Sequence, residues 1–242
     1  MAAAALLSAT LKFEGSLMIQ AQGKGPVPLL VVECSHDRVM RATAKWSYDF
    51  KATTLQELIG DGQLVITIDR GNHPERYQGI VELRGSSVSQ VLENYLLQSE
   101  QLDTHIWLAA DDHRAAGLLI QKLPENDTST DAWETVKHLS ATITPDELLS
   151  LDPETVIHRL YHEEDVRLFE PETVRFGCSC TRERVINALR TIGYDEVNSI
   201  IKEQGNVDID CEFCGQHYQF DAVDVEQIFA STIFKQIPRT QH

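Results

Sequence analysis

At 242 residues the chain can hold one large domain or two smaller ones, and 42% hydrophobic residues is the ordinary content of a folded globular protein. Its 37 acidic against 21 basic residues leave a net charge of -16, which repels a phosphate backbone and an anionic membrane face and sets nucleic acid and membrane aside as partners. No stretch approaches the roughly 20 apolar residues of a membrane span, and the short apolar start Met1 to Leu7 lacks the basic flank of a signal peptide, which points to the cytoplasm.

From Ala2 to Leu11 helix propensity is high but no capping residue precedes it, so the stretch reads as a helix entered partway. Short β-rich runs follow at Leu17 to Gln22, Leu29 to Cys34 and Val39 to Trp46, separated by turn residues, and predict three antiparallel strands. A short helix is expected at Leu55 to Ile59. A hairpin is expected from Leu64 to Asp69 and Arg76 to Leu83, around a loop carrying Gly71 and Pro74. Val88, Val91, Leu92, Tyr95 and Leu96 then recur at the spacing of an amphipathic helix that should cover one face of the sheet. Thr104 to Ala110 and Ala115 to Leu123 form a last hairpin. Strands with few intervening helices make residues 1–124 an α+β domain with a largely antiparallel sheet.

The polar stretch Glu125 to Asp131 marks a boundary. Residues 125–175 read as a charged helical linker, with helices at Trp133 to Ile143, Asp146 to Leu149 and Pro153 to Asp165, then short strands at Val166 to Phe169 and Thr173 to Phe176. Such short helices need a partner surface to stay folded. Residues 176–242 form a small third segment, with helices at Arg182 to Leu189 and Asp195 to Glu203 broken at Gly193. A hairpin of Asp208 to Cys211 and Tyr218 to Phe220 follows, then a last helix capped by Asp221 with Val225, Ile228 and Phe229 as its apolar face.

Four of the five cysteines lie in that third segment: Cys178-Ser179-Cys180, then thirty residues, then Cys211-Glu212-Phe213-Cys214. Two close pairs at that separation can place four thiolates at the corners of a tetrahedron, the geometry of a closed zinc site, and Gly215 suits the knuckle turn. Three readings stay open from the residues: a zinc staple, a zinc-binding thiol switch favoured by the tight Cys-x-Cys spacing, and structural disulfides, against which the cytoplasmic setting argues. His217 is a possible substitute ligand, but four cysteines already complete a shell. One Zn2+ per chain is expected, and a segment with so little apolar sequence should need it to fold.

The remaining chemistry-bearing residues have bland readings. His158 and His162, beside Glu163 and Glu164, belong to a solvated helix face. Cys34 is a small core residue at a strand end. Trp46, Trp107 and Trp133 read as packing in a core or at a domain interface, with Trp46 and Tyr48 as candidates for a protein-binding surface. Gly23-Lys24-Gly25 lacks the rest of a phosphate loop.

Phe176-Gly177-Cys178-Ser179-Cys180-Thr181-Arg182-Glu183-Arg184, Cys211-Glu212-Phe213-Cys214-Gly215-Gln216-His217-Tyr218 and Arg159-Leu160-Tyr161-His162-Glu163-Glu164 resemble the redox-regulated, ATP-independent holdase chaperones of bacteria, the redox-switch heat-shock protein family. Ala9-Thr10-Leu11-Lys12-Phe13-Glu14-Gly15, Glu75-Arg76-Tyr77-Gln78-Gly79 and Ser99-Glu100-Gln101-Leu102 carry the likeness over the whole chain. Members of that family begin with several dozen further residues, so this chain is expected to start inside the equivalent of a later helix. The resemblance implies no enzyme activity. It implies that reduced Cys178, Cys180, Cys211 and Cys214 hold zinc and keep the chaperone inactive. It further implies that oxidation joins Cys178 with Cys180 and Cys211 with Cys214, releases zinc and unfolds this segment with the linker. The oxidised homodimer then binds unfolded or oxidatively damaged clients and passes them to ATP-dependent foldases. The rival reading is a zinc-ribbon adaptor for protein interaction without redox control. An oxidoreductase would instead place Cys-x-x-Cys at a helix N-terminus within a βαβ unit.

Overall fold

The computed structural model describes residues 1–11, 14–46, 50–51, 54–71, 76–123 and 130–233. Lys12, Phe13, Tyr48, Pro74, Glu75 and the stretch 124–129 lie outside the described residues. Two compact units divide the chain at Gly177, Met1–Gly177 and Cys178–His242.

The first unit is built on a sheet of β1 (Ser16–Gly23), β2 (Leu29–Ser35), β3 (Val39–Lys45), β4 (Gly62–Asp69), β5 (Tyr77–Glu82) and the two-residue β8 (Arg175–Phe176), in the order β5-β4-β1-β2-β3-β8. Every pairing is antiparallel except β3 with β8. Leu17, Ile19 and Ala21 alternate to the buried side of β1, the period-2 pattern that fixes which face meets the core. That face packs under α1 (Ala2–Thr10), through Ala3, Ala4 and Leu7, and under α3 (Val88–Ser99), through Val91, Leu92, Tyr95 and Leu96. Ser87 caps α3 by accepting from the Gln90 amide. In α2 (Leu55–Ile59), Thr54 and Glu57 close a capping box. Gly23 and Gly25 press against this helix, where a Cβ would lie 2.1 and 2.5 Å from its carbonyl oxygens; they serve close packing, not a phosphate.

A second sheet, β6 (Thr104–Ala110) paired with β7 (Ala115–Gln121), lies across α1 and α3 and presents two apolar faces. Ile106, Leu108 and Leu119 join the main core. Trp107, Ala109, Ala116 and Leu118 face the other way and are covered by α5 (Pro145–Ser150), α6 (Pro153–Tyr161) and the turn before α5, with Ile143, Leu148, Val156 and Leu160 buried against them, while α4 (Thr130–Ser140) packs on α6. Thr144 and Asp152 cap α5 and α6, each with proline in the first turn. The charged helices are thus the outermost layer of the first unit.

Several expectations differ from the structure, among them Trp46, which is 66% exposed rather than packed. Val166 to Phe169 forms no strand, and Thr173 to Phe176 contracts to β8. Extended apolar residues become a strand only when a neighbour completes the ladder. Val166, Leu168 and Phe169 have none, and Phe169 is 77% exposed. Helix α6 also ends at Tyr161 rather than Asp165.

The second unit contains α7 (Arg182–Ile192), α8 (Tyr194–Gln204), the hairpin β9 (Val207–Asp210) and β10 (His217–Phe220), and α9 (Ala222–Ile233). Gly193, with φ 103°, breaks the helical pair as its sequence suggests. Asp221 caps α9 by accepting from the Asp224 amide at 2.8 Å. Its core is small: Leu189, Val197, Val207, Phe220, Val225 and Ile228. Among the described residues no helix is long and apolar enough to cross a membrane.

Candidate metal centre

The two cysteine pairs reach one point from two turns. Cys178 and Cys180 occupy the segment between β8 and α7, where Thr181 caps the helix by accepting from the Arg184 amide. The Arg184 guanidinium turns back onto the intervening residue, donating to the Ser179 carbonyl at 3.1 Å and to its hydroxyl at 2.5 Å. Cys211 and Cys214 form the turn of the β9–β10 hairpin. There the Gly215 amide donates to the Cys211 carbonyl at 2.8 Å and the Cys211 amide to the Gln216 carbonyl at 2.9 Å, with Gly215 at φ 70°. The knuckle closes because glycine accepts this left-handed position without a Cβ clash.

All four sulfurs lie within 4.8 Å of one another, the one group among the described residues whose ligand atoms gather closely enough to hold a metal ion. Cys178 and Cys211 are 3.6 Å apart and Cys180 and Cys214 3.3 Å, all as free thiols. A tetrahedron of sulfurs about 2.3 Å from a zinc ion has edges of about 3.8 Å, so the spacing suits such an ion. The electrostatics agree. The Gln216 amide favours the Cys214 thiolate, but hydrogen bonding with Cys180, desolvation and the Cys211 and Cys178 sulfurs outweigh it and push Cys214 up to about 12. Four thiols this close ionise together only beside a positive charge. Tyr218 adjoins them, its phenol pushed up to about 12 by its hydrogen bond with the Cys180 sulfur, desolvation and the charge of the neighbouring sulfurs.

His217 is turned elsewhere. Its Nδ1 lies 2.8 Å from Asp210 and its Nε2 3.2 Å from Asp208, and the Asp210 hydrogen bond raises its pKa. Cys34 is fully buried in the core of the first unit. His158 and His162 stack on each other at 6.0 Å on the outer surface of α6. Sequence reading passed over Arg182. Its guanidinium lies 4.2 Å from the Phe220 ring centroid, donates to the Gln219 carbonyl at 3.0 Å and pairs with Asp224 at 2.9 Å. It ties the helix after the first cysteine pair to the hairpin that carries the second. Its place directly after Cys-x-Cys-Thr was the available signal.

Fold and site together define a class, an α+β body followed by a small four-thiol module. The fold is shared with the solved 33 kDa chaperonin of Thermotoga maritima, which superposes with a TM-score of 0.83 over 96% of this chain and 83% of its own, at 20% identity. A family profile described as Hsp33 protein matches residues 1–221. The 33 kDa chaperonin of Pseudomonas fluorescens is 47% identical over 250 residues, covering 100% of this chain and 83% of the relative. That of Chromobacterium violaceum is 49% identical over 231 residues, covering 95% and 79%. The chain belongs to the Hsp33 family, whose members are chaperones rather than enzymes.

Proposed function

We propose that this protein is a redox-regulated holdase, inactive while its four cysteines are reduced and active once they are oxidised. The observation that carries the reading is the convergence of four sulfurs in a module with six buried apolar residues among those described. A core of that size is small for independent stability. Zn2+ bound by Cys178, Cys180, Cys211 and Cys214 would hold the sulfurs as thiolates and cross-link the two turns.

The cysteines supply the switch. A peroxide converts one thiolate to a sulfenic acid, and the neighbouring thiolate attacks that sulfur and expels hydroxide. Each thiolate pair thus loses two electrons while one peroxide becomes two hydroxides, which are protonated by the solvent. Pairing Cys178 with Cys180 and Cys211 with Cys214 leaves no thiolate donor, and the module loses what its core cannot replace. Residues 125–175 act in this account as a linker released with the module. Loss of α5 and α6 uncovers Trp107, Ala109, Ala116 and Leu118, an apolar face suited to an unfolding client. Clients are unfolded or oxidatively damaged proteins of the cytoplasm, bound by an oxidised homodimer and later passed to ATP-dependent foldases.

Aggregation of a thermally unfolding enzyme, followed by light scattering, tests the reading. Suppression by the peroxide-oxidised, metal-free protein and not by the reduced, zinc-loaded one is expected. Equal scattering in both states, despite stoichiometric zinc release, overturns it.

A further inference from the structure

Strand β8 covers part of one edge of the main sheet, and its attachment is unlike that of any other strand there. It pairs parallel to β3 over two residues, Val39 with Arg175 and Met40 with Phe176. The Arg175 amide donates to the Arg38 carbonyl at 3.0 Å and the Gly177 amide to the Met40 carbonyl at 3.1 Å. Two ion pairs flank these bonds: Arg175 with Asp37 at 2.9 Å, and Arg38 with Glu172. The Arg38 guanidinium also donates to the Ser8 carbonyl and hydroxyl at 3.3 and 3.1 Å. Arg38 is held at φ 60°, a backbone position that costs a non-glycine residue energy and that these contacts stabilise. At Gly177 the chain passes so close to Val39 that a Cβ would lie 2.4 Å from its Cγ1.

Side-chain burial contributes little to this attachment. Phe176 is 65% exposed and Val174 47%. What holds β8 is backbone hydrogen bonding with two ion pairs, one between the exposed side chains of Arg175 and Asp37 and one between the mostly buried Arg38 and the exposed Glu172. Its next residue after Gly177 is Cys178. The segment is therefore weakly attached and joined directly to the first cysteine pair.

We propose that β8 is an internal plug on the β3 edge, and that its release opens that edge to strand addition by an extended segment of an unfolding client polypeptide. The plug defines the occupant. It is an extended Val174-Arg175-Phe176 run recognised through its amides and one cation facing Asp37, with the aromatic ring left largely in water. Unfolded chains offer extended, apolar-flanked amides in abundance, whereas folded proteins have theirs already paired. The edge reads backbone, whereas the β6–β7 face under α5 and α6 reads apolar side chains. The inference rests on the redox reading only for what frees the plug in nature.

The test separates the two. A fluorescent peptide copied from residues 170–177 is titrated against the reduced, zinc-loaded protein, the oxidised protein, and a reduced Glu172→Lys, Arg175→Glu double variant whose charges repel Arg38 and Asp37. A tethered strand competes at an effective concentration of order millimolar, so the peptide should bind the double variant at least about tenfold more tightly than reduced wild type. The oxidised protein should gain similarly. The same peptide N-methylated at the positions of Arg175 and Gly177 should bind neither. Equal binding by the N-methylated peptide overturns the proposal, because apolar contact would then suffice. No peptide binding to a double variant whose Gly177 amide exchanges freely also overturns it, even if oxidised wild type still suppresses aggregation. Peptide binding that falls as the protein is concentrated assigns the edge to a second copy and overturns the assignment to a client. Light scattering by oxidised wild type reports separately on the holdase reading.

Discussion

The two units of this protein hold themselves together by different means. Among the described residues the first unit buries nineteen residues in one cluster, spread over two sheets and three helices. The second buries six, and its two cysteine-bearing turns meet at sulfur. Removing one group from the first core leaves many contacts in place, whereas losing the sulfur cluster removes what joins the second unit's turns. Helices α5 and α6 and the turn before them lie between these extremes, with four buried side chains over one face of a hairpin. On the proposed reading the sensor lies in the unit with the smallest core and the cover layer is of intermediate strength, so that a local chemical event would loosen these before the main core is affected.

The largest effect expected from this contrast is at the cysteines. Cys211→Ser should abolish stoichiometric zinc binding, since apparent affinities of structural zinc amount to about 10 kcal/mol or more, and leave residues 178–233 open to protease while the first unit keeps its melting transition. Retained zinc with normal protease resistance would break the comparison. Next come the buried linker leucines. Leu160→Ala should cost about 2–5 kcal/mol of helix docking and give partial suppression of aggregation in the reduced state, with zinc content unchanged. Leu92→Ala should cost a similar amount yet lower the melting temperature of the first unit without producing a gain of activity.

Arg182→Ala removes one ion pair, one backbone bond and the Phe220 contact. About 1–2 kcal/mol should be lost, read as faster zinc loss to a chelator with the first unit unaffected. The smallest effect is on pH. The Thr144 amide holds Glu147, and the Thr155 hydroxyl holds Asp152, below their ordinary carboxylate pKa values. Depressed folded values mean that their contribution is present above about pH 4 and lost as pH falls through the folded pKa. Hydrogen exchange in α5 and α6, corrected for intrinsic rate, should therefore accelerate in acid. Asp152→Asn, which still caps, should flatten that dependence.

Local features of the fold were legible in the sequence because they depend on neighbours along the chain. Alternating Leu17, Ile19 and Ala21, the Val91, Leu92, Tyr95 and Leu96 stripe, and the break at Gly193 each declare a strand, a helix face or a stop. The four cysteines declared themselves by spacing. Long-range partnerships did not. Nothing near Arg175 signals that it pairs with Asp37, and nothing in Val166 to Phe169 says that no ladder awaits it. The outer face of the β6–β7 hairpin was equally hidden, because alternating apolar residues on both sides of a strand do not say which side a helix will cover. His217 follows the knuckle closely in sequence, yet Asp208 and Asp210, across the hairpin, occupy both its nitrogens.

The measurement that tests the central claim most directly is hydrogen exchange across the whole chain before and after peroxide, with zinc content followed in the same samples. Residues 178–233 are expected to lose protection as zinc is released, α5 and α6 to lose it with them, and β1, β2 and β4 to keep theirs. Zinc release with unchanged protection at Leu148, Val156 and Leu160 would contradict the claim, because oxidation would then leave the hairpin face covered.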